Sequence, residues 1–139
     1  MNGTFLVLPK RNLNKYSSLV SNLKNIKDIN SSHVICYDEC FKRVTLKNQE
    51  IIIFGDVKAS YTSKGILKLR SGDFKKLLKN IYSTKSEFDG NFCIFSKNKN
   101  STKIQIDGRG IFDIFYTNQK KDFIISNSFE LVTKFRKLT

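Results

Sequence analysis

From Val34 onward the apolar residues of this chain are gathered into short runs, and that grouping constrains the fold more than any other feature. Val34-Ile35-Cys36-Tyr37, Arg43-Val44-Thr45-Leu46 and Ile51-Ile52-Ile53-Phe54 come first. Asn91 to Ser96, Lys103 to Ile106, Ile111 to Thr117 and Phe123 to Ser126 follow, rich in Ile and Phe and separated by Lys, Asn, Ser and Gly. β-Branched and aromatic side chains suit a pleated, half-buried surface, whereas Asn, Ser and Gly favour turns. The runs predict three antiparallel strands between 34 and 57, with Lys47-Asn48-Gln49 turning between the last two. They predict a four-strand meander between 91 and 126. Phe5-Leu6-Val7-Leu8 predicts a buried first strand.

Helical spacing interrupts the strands in three places. Leu13, Tyr16, Leu19, Val20 and Leu23 follow Pro9 at intervals of three and four, with Asn12 or Asn14 as the cap. Phe74, Leu77, Leu78, Ile81 and Tyr82 mark one face of a helix that Ser71 caps. Asn127, with Glu130 three residues on, has the form of a capping box ahead of Phe129, Val132 and Phe135. Runs of strands punctuated by a few helices give an α+β class, with helices packed outside largely antiparallel sheets. No repeat, Pro/Gly-rich linker or low-complexity block divides the 139 residues, so a single domain, 1–139, is expected.

The formal net charge of +13 raises the question of an anionic partner. Twenty of the 25 basic residues are lysines, scattered from Lys10 to Lys137, and the arginines stand far apart at Arg11, Arg43, Arg70, Arg109 and Arg136. Bidentate phosphate and base recognition favours arginine. A basic binding module for nucleic acid or another anionic partner is therefore the alternative function, not the leading one. No apolar run approaches the roughly 18 residues of a membrane span, and the start lacks the basic residues and cleavage site of a secretion signal. Three irregularly spaced cysteines do not suggest a disulfide framework. A soluble cytoplasmic protein is expected.

The second half of the chain resembles one family. Phe88-Asp89-Gly90-Asn91-Phe92-Cys93-Ile94-Phe95 is similar to the "L-D-G-M-F-A-F" segment of asparagine synthetases and related class II glutamine amidotransferase domains. Ile106-Asp107-Gly108-Arg109-Gly110-Ile111-Phe112-Asp113-Ile114-Phe115-Tyr116 resembles their "R-D-R-F-G-I-K-P-L-Y-Y". Phe123-Ile124-Ile125-Ser126-Asn127-Ser128-Phe129-Glu130-Leu131 is similar to "F-V-F-A-S-E-I-K-A-L". The three follow in the family's order. In the more divergent first half, Met1-Asn2-Gly3 resembles the opening "M-C-G", Phe54-Gly55-Asp56 the "N-G-E" segment, and Ser71-Gly72-Asp73 the "S-D-T-E" before a helix. The resemblance implies the fold of the N-terminal-nucleophile hydrolases, here a compact, shortened α/β/β/α sandwich of largely antiparallel sheets with outer helices.

It also implies that the catalytic machinery is degenerate. Family members release ammonia from glutamine with an N-terminal cysteine whose free α-amine is the base. Asn2 stands in that place, and a carboxamide is not a useful nucleophile. Met1 is expected to be retained before so large a residue, which displaces the amine as well. The family's oxyanion stabiliser is an Asn-Gly pair, and Phe54 takes the asparagine's position. Gly55 is read as a backbone requirement, a turn or a close strand approach. Asp73 reads either as a remnant of the carboxylate that holds the glutamine's amino group or, by preference, as an acidic residue favoured in a helix's first turn.

Other candidate residues carry structural readings. Asp107-Gly108 is a tight-turn signal, and the resemblance places it in the loop that locks the two sheets together. Arg109 and Asp113 are candidates to pair with one another or with a partner. His33, Cys36, Cys40 and Cys93 are the soft-ligand candidates for zinc, but their spacing matches no familiar ligand pair, and Cys36 and Cys93 lie in apolar runs. A cysteine nucleophile with His33 as base lacks an orienting third group. No metal and no cofactor are expected. The resemblance thus implies a non-catalytic domain whose partner is an asparagine-synthetase-like adenylating domain or protein. This chain has no glycine/serine-rich pyrophosphate loop of its own.

Overall fold

A computed structural model describes residues 3–62, 65–68, 87–99, 101–107, 110, 112–119 and 122–138. In chain order the elements are strand β1 (Phe5–Pro9), a 3-10 turn (Lys10–Asn12), helix α1 (Ser17–Val20), β2 (Asn25–Asp28), β3 (His33–Tyr37), β4 (Lys42–Leu46) and β5 (Gln49–Thr62). Then come β6 (Gly65–Lys68), β7 (Glu87–Asn98), β8 (Thr102–Ile106), β9 (Phe115–Gln119), β10 (Asp122–Ser126) and helix α2 (Phe129–Leu138). Two antiparallel sheets with two helices among the described residues make this an α+β protein, as the strand runs predict. The chain forms two compact units, one of Met1–Cys40 with Asp113–Thr139, the other of Phe41–Phe112. The helix expected over Ser71 to Tyr82 lies outside the described residues.

The first unit is built on a sheet of order β2-β3-β1-β10-β9. β1 is its middle strand, pairing with β3 from Phe5↔Tyr37 to Pro9↔His33 and with β10 at Leu6↔Ser126 and Val7↔Ile125. All residues of β1 and β3 are buried, which explains why both read as continuous apolar runs instead of alternating ones. Leu6, Leu8, Val34, Cys36 and Ile124 line one face and pack with Tyr16, Leu23, Val132 and Phe135. The Tyr16 and Phe135 rings meet at 4.3 Å. Burying each side chain of this size stabilises the fold by roughly 1.5–3 kcal/mol.

Two local expectations are corrected here. Leu13 to Leu23 is not one helix: a 3-10 turn leads through turn residues into the four-residue α1, and Leu13 N–H bonds Lys10 C=O while Leu23 N–H bonds Val20 C=O. Ser17, Ser18, Ser21 and Asn22 are weak helix formers, and a series of turns is enough to deliver Tyr16 and Leu23 to the core. The α2 cap is also different. Ser128 Oγ accepts the Leu131 N–H at 3.3 Å, and Asn127 is engaged elsewhere. Glu130 sits in the first turn, where the helix dipole favours it, and pairs with Lys134 at 2.8 Å.

The second unit holds a sheet of order β4-β5-β7-β8, with β6 pairing with β5. The 14-residue β5 is its spine, matched to β7 from Gln49↔Asn98 to Tyr61↔Glu87 with a register shift between Val57 and Ala59. Val44, Ile51, Ile53, Val57, Phe92 and Ile94 form a core cluster on one face. Alternation puts Ile52, Phe54, Cys93 and Phe95 on the other, and these are buried too. The expected four-strand meander is therefore corrected: β7 and β8 pair in this sheet, whereas β9 and β10 pair in the first unit's. Spacing along the chain shows strands, not partners. β2 and β6 are not among the expected strands; in the run Ile111 to Thr117, Ile111 lies outside the described residues and β9 begins at Phe115. Among the described residues no helix is long and apolar enough to cross a membrane.

Candidate functional site

The first unit concentrates polar side chains where β1 begins. Thr4 N–H donates to Asp38 Oδ1 at 2.6 Å, and Asp38 N–H donates back to Thr4 C=O at 3.2 Å. On the opposite flank, Asn127 Oδ1 accepts the Phe5 N–H at 3.0 Å while its Nδ2 donates to Gly3 C=O at 2.8 Å. Ser126 Oγ donates to Phe5 C=O at 2.5 Å and accepts the Ser128 N–H at 3.0 Å. Asn25 Nδ2 reaches both Tyr37 C=O and Asp38 C=O, at 3.2 and 3.0 Å. Side chains from the ends of three strands thus fix the entry to the central one. Gly3 has φ +103°, a left-handed conformation that glycine adopts without a Cβ clash.

Among the described residues, these side chains hold backbone. Asn127 uses both ends of its amide, and Asp38 Oδ1 takes the Thr4 and Glu39 N–H groups. Asn2, the residue before Gly3, lies outside the described residues, as does Asp73. Sequence reasoning misses the Asp38 and Asn127 clamps: it reads Asn127, with Glu130, as a helix cap, whereas the polar triplet Ser126-Asn127-Ser128 closing an apolar strand is the signal for a clamp.

In the second unit Phe54 is fully buried and packs edge-on against Phe95, ring centres 5.8 Å apart. Its side chain offers no donor for an oxyanion. Gly55 has φ +86°, and a Cβ there would lie 2.0 Å from Asn91 O. Gly90 is its counterpart across the ladder: φ is +146°, and a Cβ would lie 2.1 Å from Asp56 O. The two glycines flank the Asp56↔Asn91 pair, and at either one a Cβ would run into the backbone of the partner strand.

Asp107 is 3% exposed at the end of β8. Its Oδ1 accepts the Phe112 N–H at 3.0 Å and the Phe92 N–H at 3.4 Å, while its own N–H and C=O bond Phe92 O and Gly110 N. One buried carboxylate therefore ties β7 to the chain that leaves β8. Asp113 is exposed, and Arg109 lies outside the described residues.

His33 and Cys36 are three apart on β3 and so face opposite sides of it. His33 stacks on Phe123 at 3.9 Å, and Ser32 Oγ lies 2.8 Å from its Nδ1. Burial pushes the Cys36 thiol up to about 11. Cys93 is raised further, by burial first and by the Asp107 carboxylate second. Thiols held neutral in this way are poor nucleophiles. Cys40, partly exposed, follows β3. Among the described residues no group of three or more His, Cys, Asp or Glu side chains is placed to hold a metal ion. No protein-family model and no curated protein matches the chain.

Proposed function

We propose that this chain is a non-catalytic glutamine-amidotransferase-like domain that acts through protein contacts, as a structural or interaction module for an asparagine-synthetase-like, ATP-dependent amide-forming enzyme. The observation that supports the reading is how Gly3 to Phe5 enter β1. β1 is the central strand of an antiparallel sheet, and Gly3 to Phe5 are held by Asp38 and Asn127 at the end where the resemblance puts the nucleophile. The residue before Gly3 in the sequence is Asn2, whose carboxamide cannot attack an acyl group. Phe54, buried against Phe95, supports the same reading for the oxyanion position.

A scaffold kept without its nucleophile serves best where an amide-forming enzyme takes its amine from another source. The adenylation chemistry then belongs to the partner. The buried, neutral thiols of Cys36 and Cys93 suit a reducing cytoplasm, where we place the protein. The test is binding to an adenylating synthetase encoded beside this chain and lacking such a domain of its own. Saturable binding by calorimetry together with a changed rate of ATP–pyrophosphate exchange is the expected result; neither binding nor an effect on exchange would remove the proposal.

A further inference from the structure

The turns that close two hairpins of the second unit come to one end of its sheet. Register requires it: Leu46 pairs with Gln49, Gln49 with Asn98, and Lys97 with Thr102, so Lys47-Asn48 and the turn after Asn98 are neighbours. Between them lies an open groove of about 830 Å³. Lys47, Lys97 and Lys99 line it together with Asn48, Asn98 and Ser101, and Glu50 is the one carboxylate among its lining residues. Lys47 and Lys99 are exposed. The second turn is pinned: Asn98 Oδ1 accepts both the N–H and the Oγ–H of Ser101, at 2.8 and 3.1 Å, and Asn98 N–H bonds Ser101 C=O at 2.9 Å.

We infer that this groove binds the sugar–phosphate backbone of a duplex nucleic acid without reading its sequence. Lysine ammonium groups with Asn, Gln, Ser and Thr side chains are the set that contacts phosphate oxygens and positions a protein on a duplex. Among the described residues that line the groove, none is aromatic, as stacking of unpaired bases would need. None of these residues is an arginine whose fork would read guanine edges. Ordering by the Asn98–Ser101 turn fixes the Lys97 and Lys99 backbone before a ligand arrives, which lowers the entropy lost on binding. The chain's net charge of +13 adds long-range attraction for any polyanion.

The experiment is fluorescence anisotropy with a labelled duplex of about 20 base pairs, titrated with the whole chain at several salt concentrations. Lys47→Glu/Lys99→Glu is compared with Lys15→Glu/Lys24→Glu, exposed lysines of the other unit whose reversal changes net charge equally. The groove pair should weaken binding about tenfold or more and lower the slope of log K against log salt by about 1.8, the share of two phosphate contacts. The control pair should change affinity by no more than about twofold. Lys47→Gln/Lys99→Gln, gentler on the turns, should move affinity in the same direction, with circular dichroism reporting the fold. Equal losses from both reversals, or no duplex binding by the unaltered chain at low salt, would overturn the inference. Displacement of the duplex by a polyglutamate peptide at matched charge would overturn it in favour of an acidic polypeptide.

Discussion

Asn127 and Phe5 are 122 residues apart, and the side-chain oxygen of the first accepts the backbone N–H of the second at 3.0 Å. With Asn127 Nδ2 on Gly3 C=O, one amide joins the entry of β1 to the end of β10, the strand beside it in the sheet.

Asn127→Ala should leave a part-buried N–H and C=O without these partners and cost about 1–3 kcal/mol. Asn127→Asp keeps the acceptor for Phe5 but loses the donor to Gly3, and should cost less than the alanine variant. Urea unfolding followed by circular dichroism measures both; equal stability of Asn127→Ala and the unaltered chain would contradict the clamp.

Gly55→Ala should be among the most damaging single changes in the second unit. The residue would need positive φ and would place Cβ 2.0 Å from a backbone oxygen that cannot move without breaking the β5–β7 ladder. A loss of ~3 kcal/mol or more is expected. Gly90→Ala should behave alike, whereas Gly110→Ala, with nothing within 4 Å of its Cβ, should cost only the positive-φ strain of about 1–2 kcal/mol.

Thiol chemistry should separate the cysteines. At pH 8 iodoacetamide should label Cys40 first and leave Cys36 and Cys93 unmodified until denaturant is added, as read by peptide mass spectrometry. The same burial sets a pH dependence. The Cys36 thiol is raised from 9.0 to about 11, so between those values the unfolded chain loses its proton while the folded one keeps it. This contribution to stability is fully present below about pH 9 and should decline as pH rises toward 11. Cys36→Ala should flatten that decline.

Glutamine incubated with the purified chain should release no ammonia above the uncatalysed rate. If activity were found and then lost in Cys36→Ala or Cys93→Ala, one of the buried thiols would be the nucleophile and the non-catalytic reading would fall.

Sequence alone determined the α+β class and most of the strands. Val34 to Tyr37 and Ile51 to Phe54 are legible because strands buried on both faces must be apolar at every position. That Phe54 offers no hydrogen-bond donor is legible because a hydrocarbon ring has none in any environment. Tertiary structure decided the rest. Spacing could not show that β8 and β9, separated by Asp107 to Ile114, join different sheets, because strand partners are chosen by contacts far along the chain. The helical spacing from Leu13 to Leu23 was real, but turns met it, since what the core required was Tyr16 and Leu23 at its surface. Asn127 had the form of a cap, and the unsatisfied backbone of a strand 122 residues away claimed its amide instead. Hydrogen-bonding groups are local in sequence, but the partners that satisfy them are fixed only when the sheet closes.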